Sequence, residues 1–99
     1  MNLSERLYNG DRAREVLENE AYTAAWADIE TEILTQWKQS PARDADGREK
    51  LWQLLSLLHK LQGTLKTTLE TGKLAMMELE HQRTLAERLN AAKREFSRG

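Results

Sequence analysis

The apolar side chains of the second half of the chain follow a seven-residue repeat. Spacings of three and four residues place them on one stripe of an α-helix. The stripe consists of Leu51, Leu54, Leu58, Leu61, Leu65, Thr68, Gly72, Ala75, Leu79, Gln82, Ala86, Leu89, Lys93 and Phe96. Because no proline interrupts this segment, it predicts a single helix over residues 48–97, roughly 70 Å long given the rise of an α-helix.

Glycine at position 72 leaves two interpretations of this long segment. Its place in the stripe favours a continuous helix, with the small residue allowing a partner helix to approach its backbone closely. The alternative is that the long helix is broken near residue 72 and a third helix begins at Leu74. Continuity is favoured, since Lys73 and Leu74 offer no new N-cap and the repeat keeps its phase through the glycine.

A second helix is predicted over residues 20–39, with aromatic side chains on one face. This face carries Tyr22, Trp26, Ile29, Ile33 and Trp37, spaced by four, three, four and four residues. Three aromatic rings on one face are more than a solvent-exposed helix carries. We therefore expect the face to be buried against the first half of the long helix.

A short helix is predicted before it, over residues 11–18. Its apolar residues Ala13, Val16 and Leu17 do not continue in phase with the aromatic face, which indicates a break between the two helices. Asn19 lies at this break and can accept the backbone N–H groups of a new helical turn.

Residues 40–47 form the one clear connector. Pro41 disfavours the α region at the preceding Ser40, which ends the aromatic helix. Asp44 or Asp46 can cap the helix that follows. A connector of this length favours an antiparallel helix pair.

These elements predict one all-α domain over residues 1–99, an antiparallel helical hairpin with a long C-terminal amphipathic, coiled-coil-like helix. A compact domain of this size has a radius of gyration of about 13 Å, so the long helix is expected to extend beyond its own hairpin. Its stripe then needs another chain to cover it, which predicts a homo-oligomer. The expected oligomer interface is Leu54, Leu58, Leu61, Leu65, Gly72, Ala75, Leu79 and Leu89.

Composition narrows the class of protein. The chain has no cysteine, which excludes a disulfide framework and a thiolate metal site, and 31% of its residues are charged. No signal-peptide core and no membrane-length apolar run is present. We therefore expect a soluble cytoplasmic protein without a membrane partner.

The net charge of −1 is unevenly distributed, with an acidic first half and a basic second half. Such asymmetry favours antiparallel contact between the halves or between subunits. The C-terminal segment is the best candidate for a ligand-facing surface. Its predicted partner or nucleic-acid contacts are Arg83, Arg88, Lys93, Arg94, Phe96 and Arg98. These cations also complement the helix dipole, and their number is small for a dedicated DNA-binding protein.

No residue pattern indicates catalysis. Glu78 and His81 form a Glu-x-x-His pair of the kind found in di-metal helical bundles, but only one copy exists and the stripe leaves it on a flank. His59 is expected to be an ordinary boundary residue. No phosphate-binding glycine loop or nucleophile–His–acid pattern is present. We expect no enzyme activity, cofactor or metal.

The connector and its flanking residues form the run Trp37-Lys38-Gln39-Ser40-Pro41-Ala42-Arg43-Asp44-Ala45-Asp46-Gly47-Arg48-Glu49-Lys50-Leu51-Trp52. This run resembles small helical proteins that tailed phages and prophages encode near their packaging and head genes. The likeness includes Leu17-Glu18-Asn19 and Leu69-Glu70-Thr71-Gly72-Lys73-Leu74-Ala75. It covers most of residues 13–75 and carries no reaction or catalytic residues. The resemblance implies a larger phage protein as partner, in the host cytoplasm or the virion.

Two functions follow as expectations. The first is a non-enzymatic, oligomeric assembly or adaptor protein, such as a phage particle or packaging component. The second is a nucleic-acid-binding accessory factor that uses the basic C-terminal segment.

Overall fold

The protein is all-α, with three helices and no strand in the part of the chain that the structure describes. The computed structural model describes the backbone of residues 1–98 and the side chains of residues 1–97. The helices are α1 (Leu3–Glu18), α2 (Glu20–Gln39) and α3 (Ala45–Arg98). The side chain of Arg98, a predicted contact residue, lies outside the described part.

Helix α1 begins at Leu3, eight residues before the predicted start at residue 11. The side chain of Asn2 accepts a hydrogen bond from the Glu5 backbone N–H at 2.8 Å and donates one to the Glu5 carboxylate at 3.0 Å. This reciprocal cap starts the helix early. The predicted start, one residue after Gly10, was wrong because Gly10 is itself a buried helical residue packed against α3.

The break between α1 and α2 lies at Asn19, as the change of phase indicated. Asn19 has extended backbone angles and its side chain accepts a hydrogen bond from the Tyr22 backbone N–H at 2.9 Å. It is thus the C-cap of one helix and the N-cap of the next. The hydroxyl of Thr23 donates back to the Asn19 carbonyl at 3.0 Å.

Helix α3 begins at Ala45 rather than at residue 48, so the connector is shorter than predicted. Asp44 is the cap, since its carboxylate accepts a hydrogen bond from the Gly47 backbone N–H at 3.1 Å. The helix then runs through Gly72 without a break to Arg98, as the unbroken phase of the repeat indicated.

Helices α1 and α2 lie end to end along α3 and run antiparallel to it. The Tyr22 hydroxyl donates to the Gln62 side chain at 2.9 Å, and the Trp26 indole N–H donates to the Leu58 carbonyl at 3.3 Å. Farther along, Gly10 meets Gly72. The result is one two-layer rod with a long axis of 85 Å.

The core of this rod is thin. The buried apolar side chains are Ala13, Ile33 and Ala75. Of the predicted buried face of α2, Trp26 is half-buried, but Ile29 is 46% and Trp37 41% exposed, so the expectation was wrong for those two. A single facing helix covers only the centre of a helical face, and residues on its flanks stay open.

Candidate assembly surface

An apolar groove runs between α2 and α3 on one side of the helix pair. Its volume is about 510 Å³, and Lys60 and Thr64 lie at its edge. The apolar residues of this α2–α3 groove are Ile29, Ile33, Leu54, Leu57, Leu58 and Leu61.

The aliphatic side chains at the edges of the α2–α3 groove are unusually exposed to solvent. Leu57 is 64%, Leu54 53%, Leu61 49% and Ile29 46% exposed. Single exposed leucines are ordinary on a protein surface, but a contiguous apolar patch marks a binding surface. This groove is therefore the candidate functional site.

A smaller groove lies on the opposite side of the pair, next to the turn. It has a volume of about 220 Å³ and is lined by Ile33, Leu34, Trp37, Leu51, Trp52 and Leu55. The guanidinium of Arg48 lies 3.9 Å from the centroid of the Trp37 ring, one of the residues that line this groove. This cation–π contact holds Trp37 next to the turn.

The middle of that opposite side carries a polar contact. His59 Nε2 lies 2.8 Å from the Glu30 carboxylate, and its ring packs edge-on against Trp26 with centroids 5.3 Å apart. His59 therefore links the two helices at the surface, and it lines neither of the two grooves.

Gly72 and Ala75 do not belong to an exposed interface. Both are buried beneath α1 of the same chain, where a Cβ atom on Gly72 would lie 2.7 Å from the Gly10 Cα. The expected close backbone approach at Gly72 does occur. The approaching helix is α1, so the assignment of Gly72 and Ala75 to an oligomer interface was wrong.

The remaining predicted interface residues divide by exposure. Leu54, Leu61 and Leu89 are open to solvent. Leu58, Leu65 and Leu79 are half-buried within the helix pair. Sequence reasoning missed the contribution of Leu57 and Ile29 to the groove. Leu57 lies three residues after Leu54 and four before Leu61, a helical spacing that could have identified it.

The C-terminal part of α3 extends past α1. Near the end of the helix pair, Arg6 of α1 forms an ion pair with Glu78 of α3 at 3.1 Å, and Leu79 beside it is half-buried. Beyond it, every described side chain from residue 81 to residue 97 is exposed. We call residues 81–97 the tail; at the rise of an α-helix it is about 25 Å long.

The tail carries both apolar and basic side chains. Leu85 is 50%, Leu89 57% and Phe96 90% exposed. Within the described residues its cations form no ion pair with the rest of the chain. The predicted contact residues of the tail are thus all accessible: Arg83, Arg88, Lys93, Arg94 and Phe96.

The structure brings no metal-binding cluster together in its described part, where no three His, Cys, Asp or Glu side chains meet. Glu78 is engaged by Arg6, and His81 is exposed at the start of the tail. Within the same residues no helix is both long enough and apolar enough to cross a bilayer.

Comparison with known proteins adds no family to this description. No protein-family model, curated protein or solved structure matches the chain.

Proposed function

We propose that this protein is a non-enzymatic assembly protein that associates with itself through the α2–α3 groove. The supporting observation is the open groove on a chain with a very thin core. Stable domains bury the apolar face of each element against a second layer around a common core. Here the facing layer of one side is absent, and a second copy supplies it in a helical bundle.

The chain's own energetics support the same proposal. Among residues 1–97 no side chain larger than isoleucine is buried, and four large aliphatic side chains of the groove are about half exposed. Covering one such side chain contributes about 1 kcal/mol or more. Self-association therefore adds stabilisation that a separate helix pair lacks.

Light scattering and sedimentation equilibrium test this proposal on the full chain. We expect a dimer or higher oligomer at roughly tens of micromolar, a concentration typical of modest interfaces. A chain that remains monomeric there contradicts the proposal.

A matched pair of variants locates the interface. Leu57→Asp places a charge in the groove, where burial without a partner is unfavourable, and should dissociate the oligomer. Leu74→Asp is the control, because Leu74 is 62% exposed, as Leu57 is at 64%, but does not line the groove. Equal effects of the two substitutions would contradict the location.

We further propose that the assembled protein docks on a larger partner, a particle or packaging component of a tailed phage. The resemblance of the connector to phage-encoded proteins is the support for this part. Affinity capture from a lysogenic or infected host, with the Leu57→Asp variant as control, tests it. Capture of host proteins without phage components contradicts it.

A nucleic-acid-binding accessory function is the second candidate, and the exposed tail cations favour it. Residues 81–97 present four basic and two acidic side chains. Binding through phosphate contacts weakens steeply with salt. A titration against duplex DNA supports this function if affinity falls steeply with salt. Absence of binding at low salt excludes it.

A further inference from the structure

We infer that two copies pair groove to groove in a four-helix bundle, with α2 of each copy packed antiparallel against α3 of the other. This inference rests on the proposed self-association and adds the symmetry and register of the contact. It follows from the placement of apolar and charged side chains around the α2–α3 groove. Its consequence is that both tails leave the bundle at the same end.

The apolar side chains of the groove come from both of its helices. Ile29 and Ile33 belong to α2, whereas Leu54, Leu57 and Leu61 belong to α3. In a two-fold dimer both copies contribute the same surface. Two copies of this groove therefore bring apolar side chains from four helices together, as in the core of a four-helix bundle.

The α2 edge of the groove is acidic. Ile29 and Ile33 line the groove. Glu30, the residue after Ile29, contacts His59 on the opposite side of the helix pair. Because each residue of an α-helix turns by about 100°, the residues just before the two isoleucines lie away from Glu30, at the groove edge. These residues are Asp28 and Glu32, and both are exposed.

The α3 edge of the groove is basic. Lys60 lines the groove at this edge. Lys50 precedes Leu54 by four residues and Leu57 by seven, a spacing that places all three on one face of α3. Both lysines are exposed. Within the described residues, none of the four charged side chains at the two edges forms an ion pair, so all four are available to a second chain.

These edges select one of two symmetric arrangements. The two-fold axis of a face-to-face dimer can run across the helices or along them. An axis across the helices places α2 on α2 and α3 on α3, so that each edge faces an edge of its own charge. An axis along the helices places α2 of each copy on α3 of the other, so that each acidic edge meets a basic edge. Because facing like charges are unfavourable, the charges select the axis along the helices.

The hydrogen bonds between α2 and α3 give the register in which the charges meet. The Tyr22 hydroxyl donates to Gln62, and the indole of Trp26, four residues later, donates to the carbonyl of Leu58, four residues earlier. Each step along α2 is thus one step back along α3. An axis along the helices keeps each level of one copy beside the same level of the other, so this register also holds between the copies.

In this register each acidic side chain lies close to a lysine of the partner subunit. Asp28 is level with position 56 and lies four residues, about 6 Å, from the level of Lys60 of the partner subunit. Glu32 is level with position 52 and lies two residues, about 3 Å, from the level of Lys50 of the partner subunit. The four-carbon stem of lysine spans either offset, and each pair occurs twice in the dimer.

Helix α1 lies outside this contact. It packs on α3 beyond the groove, from Leu65, which lines a cleft with Val16, to Glu78, which pairs with Arg6. Because levels are preserved, residues 50–64 of α3 in one copy meet α2 and the same stretch of α3 in the other. The two tails emerge together past α1, so a larger partner meets two identical tails at once.

The absence of cysteine from the chain allows a direct test of the axis. Thr84→Cys and Gln53→Cys are made one at a time in the full chain, at exposed positions, and each variant is spin-labelled. Pulsed electron paramagnetic resonance then measures the distance between the two labels of a dimer, and sedimentation of the same samples gives the oligomeric state. Position 53 lies at the level of the groove and gives a short distance for either axis, so it is the control.

The two labels at position 84 are expected within roughly 40 Å of each other, because the two α3 helices run side by side. An axis across the helices near position 57 would separate them by about 80 Å, because each label lies 27 residues from that axis. A long distance at position 84 with a short one at position 53 overturns this inference, and the proposed self-association then stands. A dimer with long distances at both positions overturns the inference and the location of the interface in the groove. A monomer overturns the inference and the self-association.

Charge substitutions provide a second measurement. Glu32→Lys places a lysine opposite the partner's Lys50 in both copies of the contact and should raise the dimer Kd about tenfold. Adding Lys50→Glu to the same chain exchanges the two charges and should restore the Kd. Glu80→Lys is the control, because Glu80 is exposed and lies outside the groove. An unchanged Kd for Glu32→Lys, or no restoration by the second substitution, overturns the inference.

Discussion

Gly10 of α1 and Gly72 of α3 meet backbone to backbone. A Cβ atom on either residue would lie 2.7 Å from the Cα atom of the other, and one on Gly72 would also lie 3.2 Å from the Arg6 carbonyl oxygen. Backbone atoms cannot move aside as the end of a flexible side chain can. The contact therefore fixes how closely α1 approaches α3.

Adding a methyl group at this contact should destabilise the protein. Gly72→Ala gains up to about 1 kcal/mol of helix propensity, but overpacking against fixed backbone costs about 1–3 kcal/mol, so we expect a lower melting temperature. Gly63→Ala is the matched control, because no heavy atom lies within 4 Å of a Cβ there, and it should raise the melting temperature. Stabilisation by both substitutions would show that the helices separate at no cost.

The junction of α1 and α2 depends on one side chain. Asn19→Ala removes the hydrogen bond that the Tyr22 backbone N–H donates to the Asn19 side chain, and should lower the free energy of unfolding by about 1 kcal/mol. Asn90→Ala on the exposed tail is the control. Urea denaturation followed by circular dichroism measures both. Equal midpoints for the two variants would contradict a capping role.

Arg48 joins the two ends of the turn. Its Nη1 donates hydrogen bonds to the Trp37 carbonyl at 3.2 Å and to the Ser40 hydroxyl at 2.9 Å, while its guanidinium stacks on the Trp37 ring. Lysine retains the charge but not the planar group that stacks and donates at once. We expect Arg48→Lys to destabilise the hairpin by roughly 1–2 kcal/mol.

Tryptophan fluorescence during thermal unfolding measures that loss, since Trp37 lies at the turn. Arg43→Lys is the control, because Arg43 is an exposed connector residue. If Arg48→Lys unfolds at the same temperature as Arg43→Lys, the stacking contributes nothing.

The backbone amides of the tail should become better protected from hydrogen exchange as the protein concentration rises. In the separate chain its side chains pack on nothing, so its amide hydrogens should exchange fast, as they do where few buried contacts hold a helix. When a second subunit or a partner covers the tail, exchange should slow. Hydrogen exchange with mass spectrometry at two concentrations measures this. Equal exchange in a confirmed monomer and a confirmed dimer would exclude the tail from the interface.

Removal of residues 83–99 should leave the helix pair folded. The Arg6–Glu78 ion pair and the half-buried Leu79 both precede the deleted segment, and residues 83–97 are exposed, so the secondary structure and the tryptophan fluorescence of residues 1–82 should persist. Circular dichroism at a concentration below the dimer Kd checks this. Unfolding of the truncated chain would show that the tail belongs to the core.

Local patterns in the sequence were sufficient to predict most of the helices. The seven-residue repeat, the phase change at Asn19 and the single proline predicted an all-α chain with a long last helix, and these signals depend only on neighbouring residues. The start of α1 was missed because Asn2 caps it and Gly10 continues it, and a glycine's role depends on what it packs against.

The candidate site was harder to predict for a physical reason. A stripe on α3 can face its own hairpin or a second chain, and the sequence pattern is the same for both. Gly72 and Ala75 face α1, whereas Leu54 and Leu61 stay exposed. Which part of the stripe is covered depends on where α1 lies, and that position is set by the contact between Gly10 and Gly72, which are 62 positions apart in the chain.

The end-to-end placement of α1 and α2 along α3 has a consequence for synthesis. A ribosome produces α1 first, but the residues of α3 that cover Gly10 and Ala13 emerge only after the whole hairpin of α2 has been made. Helix α2 and the start of α3 can pair soon after the turn is synthesised, since short-range contacts form first. The face of α1 that packs on α3 therefore stays exposed to solvent on the nascent chain, and α1 docks last.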